Sequence, residues 1–438
     1  MSSTTQIHAG YAPAGPHYPV AVPIHQSAAY EFQDYASARA MFALTRPGFT
    51  YTRTGNPTVA VLEERVAALE GGLGAVATAS GQSAVATALL ALLGAGEGGG
   101  RVAASSQLYG GTVDLLTDTF ADFGYGVDFV DQDDPAAWAA AIGPGTRAVL
   151  LESITNPLAT LPDLPAIART AHAAGVPVVV DNTLATPALY RPFEHGADVV
   201  VHSATKFLGG HGTTLAGVLV DGGTFDFAAD PVKWSRIVGP RSRYGGASLW
   251  ERHGRGAYLA YARSKYLHDL GPALAPSAAA EILRGTETLR LRVERHGRNA
   301  VDVARFLDAH PAVARVHHPS VPGHPGEGIA ARDFPDGTGS VFSFDLAVDP
   351  ERDPGAVARF IDALRLFKLV ANLGDTRSLV AHPAAMTHCR LTPAQRAAAG
   401  IGEATIRLSV GLEEPADLTA DLAQAFAAAG LVAEGSVA

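Results

Sequence analysis

Apolar positions along this chain recur with two periods, and the two alternate. From Thr58 the spacing is helical: Val59, Leu62, Val66 and Leu69 fall three and four apart, and Gly71-Gly72 ends the run. A short apolar run at 75–79 predicts a strand, and 82–93 a helix. The same alternation gives strands at 102–104, 127–130, 148–151, 176–180, 199–201 and 217–220, with helices at 112–123 and 164–174. Strands separated by helices predict the α/β class: a mostly parallel sheet with helices on both faces. Ligands of such sheets bind beyond the carboxyl ends of the strands.

The flanking regions read differently. The first 57 residues are rich in Pro, Gly, Tyr and Thr, lack long periodic runs, and predict an extended arm. Residues 224–275 are less regular and read as an insertion with a connecting helix. A long helical stretch runs from 281 to 307, then a strand at 339–346, a helix at 356–364, a loop at 372–388, a strand at 404–410 and a last helix from Pro415. This tail predicts a smaller α+β domain. The expected division is 1–57 arm, 58–285 large domain and 286–438 small domain.

Composition narrows the class. The chain has 438 residues, 47% hydrophobic and 17% charged, which suits a folded enzyme of more than one domain. A net charge of -10 argues against nucleic-acid binding, which draws on clustered Lys and Arg. No apolar run is long enough to span a membrane, and the N-terminus has no signal-peptide pattern. The single cysteine, Cys389, excludes an internal disulfide, and the expected compartment is cytoplasmic.

The candidate chemistry centres on Lys206. It follows the apolar run Val199-Val-Val with Ser203 and Thr205 just before it. An amine beside a buried strand has a lowered pKa and is the better nucleophile for it. A second buried run, Val178-Val-Val, ends in Asp181. A strand-end aspartate, a strand-end lysine and adjacent hydroxyls suggest pyridoxal phosphate: Lys206 for the Schiff base, Asp181 for the pyridinium nitrogen, the hydroxyls for the phosphate. Ser80-Gly81-Gln82 precedes a helix, whose free N–H groups favour an anion. Tyr51 and Arg53 project the same way from an extended chain, and Arg suits a phosphate. Tyr109, followed by Gly110-Gly111 at a strand end, could stack on a cofactor ring. Arg407 lies within an apolar strand, where its charge needs a partner: a substrate carboxylate or a structural ion pair. His382 and His388 match no metal-binding spacing, so no metal is expected.

Taken in order, these motifs resemble the Cys/Met-metabolism family of pyridoxal-phosphate enzymes. The resemblance rests on Tyr51-x-Arg53, Ser80-Gly-Gln82, Tyr109-Gly-Gly, Asn156-Pro157, Asp181-Asn-Thr183, Ser203-Ala-Thr205-Lys206, His382-Pro-Ala-Ala-Met-Thr-His388 and Arg407-Leu-Ser. It implies a type I pyridoxal-phosphate-dependent transferase fold. Lys206, Asp181 and Tyr109 would be catalytic. Ser80, Gly81, Gln82, Thr183, Ser203 and Thr205 would bind the cofactor, together with Tyr51 and Arg53 from a neighbouring subunit. Asn156, Asn372, Arg407 and Tyr51 would bind the amino-acid substrate. The family implies a homo-oligomer, at least a dimer and usually a tetramer. Within the family, the chain length, the segment before Ala275 and Asn372-Leu-Gly-Asp resemble the O-acetylhomoserine sulfhydrylase branch. That branch exchanges acetate on O-acetylhomoserine for sulfide or a small thiol. Sister branches eliminate instead, or use cysteine as the acceptor.

Overall fold

The central strands are buried on both sides, and that dictates where the helices go. The computed structural model describes residues 2–431 apart from 44, 95, 97 and 98, so the last seven residues of the expected small domain lie outside the described residues. β1 (Gly74–Thr78), β2 (Arg101–Ser105), β3 (Gly126–Val130), β4 (Thr146–Glu152), β5 (Val178–Asp181), β6 (Val199–Ser203) and β7 (Gly217–Asp221) form one sheet in the order β1-β7-β6-β5-β4-β2-β3. β7 runs antiparallel to both its neighbours and the other pairs are parallel. Alternate residues of β4 to β7 feed two separate cores. Val149, Leu151, Val178, Val180, Val200 and Val218 face one, and Ala148, Leu150, Val179, Val199, Val201 and Leu219 the other. Burial on both faces is why these strands read as unbroken apolar runs.

The helix Pro57–Glu70 starts where the pattern predicts, within a residue. Asn56 caps it, its Oδ1 accepting from the N–H of Thr58 at 2.9 Å, and Pro57 takes the first position. Gly71 ends it in the left-handed region with φ +79°, a conformation that glycine adopts without a Cβ clash.

Three sequence expectations change. The first 57 residues are not wholly extended: they carry two short helices, Ser3–His8 and Tyr35–Phe42, capped by Ser2 and Asp34. Helices this short leave too few turns for a periodic signal. The irregular 224–275 segment is a structural layer: Trp234, Ile237, Leu249, Tyr258 and Tyr261 are buried in the second core. The expected loop at 372–388 contains a strand of the second sheet. That sheet comprises β8 (Val313–His317), β9 (Val341–Leu346), β10 (Lys368–Leu369), β11 (Leu379–Ala381) and β12 (Thr405–Ser409), in the order β10-β11-β12-β9-β8. β11 is three residues long, and pairing with β12, not local propensity, makes it a strand.

The helix Pro276–Glu287 crosses residue 285, and the long helix Leu289–Asp308 follows it directly. The last helix, Pro415–Ala428, closes the second sheet, with Phe426 packed against Phe344 and Phe360. Among the described residues no helix is long and apolar enough to cross a membrane.

Candidate active site

Beyond the carboxyl ends of β4, β5 and β6 lies a cavity of about 440 Å³. Its floor is the large sheet, and the strand β12 with the loops around 372 and 388 forms the far wall.

Lys206 enters from the turn after β6. Its Nζ donates to Asn372 Oδ1 at 2.5 Å. Burial, and then the positive charge of Arg407, lower the amine's pKa to about 8. Asp181 ends β5, and its Oδ1 accepts from the N–H of Thr183 at 2.9 Å. The hydroxyl of Thr183 in turn accepts from the N–H of Ser203 at 2.8 Å, so one threonine ties the ends of β5 and β6 together. Burial pushes the Asp181 acid above its ordinary range, against the Thr183 hydrogen bonds and the charge of His202. A cationic ring nitrogen beside it would reverse that balance.

Ser80 caps the helix Gly81–Leu93, accepting from the N–H of Ser83 at 3.2 Å. A Cβ at Gly81 would lie 2.6 Å from Ser203 Cβ and 2.8 Å from its Cα, so only glycine lets this helix start meet the end of β6. Ser203 and Thr205 line the cavity beside Gly81 and Gln82. The Thr205 hydroxyl also accepts from the N–H of Ala216 at 3.0 Å, and Gln82 Nε2 donates to the Gly111 carbonyl at 2.7 Å. The result is a cradle of hydroxyls and helix-end N–H groups, the chemistry that holds a phosphate.

Tyr109 follows β2 and is partly exposed at the cavity. A Cβ at Gly111 would come within 2.6 Å of its ring, and one at Gly110 within 2.4 Å of the Thr387 carbonyl. The two glycines therefore make room for the ring and for the 382–388 loop. Arg407, on β12, is only 2% exposed. It donates to Asn156 Oδ1 at 3.3 Å and to the Asn372 carbonyl at 2.8 Å, and its Nε has no partner. Burial lowers its pKa to about 10. Among the described residues no carboxylate accepts from this guanidinium, so the structural ion pair weighed from the sequence does not form there, and the arginine lines the cavity.

Twelve of the fourteen expected residues thus converge. Tyr51 and Arg53 do not line the cavity of their own chain. Tyr51 bridges to Ala29, while Arg53 lies 5.8 Å over the Tyr51 ring and reaches the His268 carbonyl. The cavity also holds a residue that the sequence reading passed over, Glu152 at the end of β4. Its signal was present: like Asp181, it is a carboxylate closing a buried apolar run.

An amine for an aldehyde, a carboxylate for a ring nitrogen and a cradle for a phosphate fit one cofactor, and with this α/β fold they define a pyridoxal-phosphate-dependent enzyme. The chain belongs to the Cys/Met metabolism PLP-dependent enzymes, whose family model matches residues 3–427. It is 43% identical over 432 residues to an O-acetyl-L-homoserine sulfhydrylase of Leptospira meyeri, covering 97% of this chain and 96% of that one. It is 40% identical to the homocysteine/cysteine synthase of Saccharomyces cerevisiae, with 97% of both chains covered. Among solved structures it resembles one described as an O-acetylhomoserine (thiol)-lyase from Campylobacter jejuni, which carries a pyridoxyl-lysine monophosphate at its position 205. The TM-score is 0.92 at 36% identity, over 97% of this chain and 99% of that one.

Proposed function

We propose that this protein catalyses γ-replacement on O-acetyl-L-homoserine, with sulfide or a small thiol giving homocysteine, or methionine from methanethiol, and acetate. The observation that carries the reading is Arg407: a buried guanidinium with no carboxylate partner among the described residues, next to Asn156 and Asn372 and lining the same cavity as Lys206. That is a receptor for an amino acid's α-carboxylate, which would set its Cα beside the lysine amine. Relatives named O-acetyl-L-homoserine sulfhydrylase, 42–43% identical over nearly the full length, support the choice of donor.

Pyridoxal phosphate, when bound, supplies the electron sink that makes protons at Cα and Cβ removable. The chain's own residues do the rest. Arg407 and Asn156 hold the carboxylate, with Asn372 beside them. The Lys206 amine takes the Cα proton on Nζ and returns a proton later. Tyr109 would stack on the ring. Asp181 would accept the ring N–H and keep it protonated. Ser80, Gly81, Gln82, Thr183, Ser203 and Thr205 would build the phosphate end. In this reading Tyr51 and Arg53 complete the site of a neighbouring copy. The arm 1–57 then serves assembly, the 58–285 unit binds the cofactor and the 286–438 unit supplies Asn372 and Arg407. The working form is a homo-oligomer, a dimer at least and a tetramer in full, in the cytoplasm.

A product assay on the cofactor-loaded protein tests this. With O-acetyl-L-homoserine, homocysteine forms only when sulfide is present. Equal 2-oxobutanoate and ammonia with or without sulfide would make the protein a lyase and end the replacement reading.

A further inference from the structure

Glu152 has no assigned task, yet it lines the site. It closes β4 directly opposite Asp181, which closes β5. It is only 4% exposed, and no lysine, arginine or histidine bonds to it among the described residues. A buried carboxyl without a cation is costly. Burial, and then the neighbouring charge of Asp181, raise its acid above the ordinary range, and backbone hydrogen bonds pull the other way.

Those hydrogen bonds show what it does. Oε1 accepts from the N–H of Tyr109 at 2.6 Å, and Oε2 from the N–H of Asn156 at 2.9 Å. Tyr109 is the residue that would face the ring in the proposed reading; Asn156 is the partner of Arg407. The two lie on different loops, after β2 and after β4. A single rigid carboxyl group therefore sets the distance between the ring-stacking residue and the carboxylate receptor. Its own position is fixed by the strand ladder to Asp181.

We infer that Glu152 is a positioning residue that registers the Tyr109 loop with the Asn156–Arg407 receptor, holding the donor amino acid at the correct angle to the cofactor ring. The inference deepens the proposed γ-replacement reading and rests on it for the donor. Ordinary side-chain amides cannot replace it: glutamine keeps one acceptor oxygen and presents an N–H₂ to the other backbone N–H.

The test uses holoenzyme of the wild type, Glu152→Gln and Glu152→Ala, with three readouts: visible circular dichroism per bound cofactor, the KM and kcat split, and thermal stability. Circular dichroism reports the asymmetry of the ring's surroundings and needs no turnover. The expected result for Glu152→Ala is a reduced or inverted visible signal and a KM for O-acetyl-L-homoserine raised about tenfold, from the loss of both hydrogen bonds. Glu152→Gln, with one bond left, falls between. Circular dichroism and KM unchanged in both variants, with only thermal stability lowered, would overturn the inference. Should Glu152→Ala not fold, Glu152→Gln in a cycle with Tyr109→Ala decides. Non-additive changes in KM support the shared role, and additive ones overturn it. A wild type that makes no homocysteine would defeat the γ-replacement reading, while the circular dichroism comparison would still decide the role of Glu152.

Discussion

The lowered pKa of the Lys206 amine has two causes. Burial disfavours the ammonium, and the Arg407 charge adds to that, bringing the amine to about 8. The neutral amine is the form that attacks an aldehyde, so a lower pKa means a larger reactive fraction at any given pH. The rate at which apoenzyme captures pyridoxal phosphate should climb with pH to a midpoint near 8 and then level off. Replacing Arg407 with leucine should move that midpoint upward, because a repelling charge is gone. A wild-type midpoint at the ordinary lysine value would refute this account. Asp181 was legible because it ends an apolar strand in a charge that a core does not tolerate, and Lys206 because it follows such a strand by three residues. Arg407 was legible as a charge in a strand, but whether an ion pair satisfied it depended on what faced it across the cavity. Glu152 carries the same signature as Asp181; its two backbone partners come from loops, and only folding brings them together.

At the level of elements, the helix Gly81–Leu93 and the end of β6 meet with no space for a methyl group. Gly81→Ala would drive a Cβ to 2.8 Å from the Ser203 backbone. Overpacking of this kind costs about 1–3 kcal/mol. Here it falls on the phosphate cradle, so cofactor affinity should drop about ten- to hundredfold with the fold retained. Cofactor absorbance after dialysis reads this directly; full retention would mean the helix start does not hold the phosphate. Helix Pro57–Glu70 was readable to within a residue, since Asn56, Pro57 and Gly71 are local signals. β11 and β10 were not. Strands of three and two residues exist because a neighbour offers hydrogen bonds, and nothing in their own composition says so. The antiparallel direction of β7 was equally hidden, because an apolar run carries no direction.

For the whole molecule, the arm raises the question of which site Tyr51 and Arg53 serve. They lie outside their own chain's cavity, in keeping with a site completed by a second copy. Lys206→Ala and Arg53→Ala would then each be impaired alone. Mixed oligomers of the two would recover roughly a quarter of wild-type activity, because random pairing leaves about that share of sites with both residues intact. No recovery on mixing would remove the arm from the active site. The sequence by itself determined the class of fold, the cofactor and most of the residues that line the cavity. Each of those signals is local: a buried run ending in a charge, a cap before a helix, a glycine where the backbone turns back. Tertiary structure alone decided the strand order, the second sheet's edge, the amide partners of Arg407 and the bridging place of Glu152. Those depend on atoms far apart in the chain, and which of them come to face each other is settled by packing.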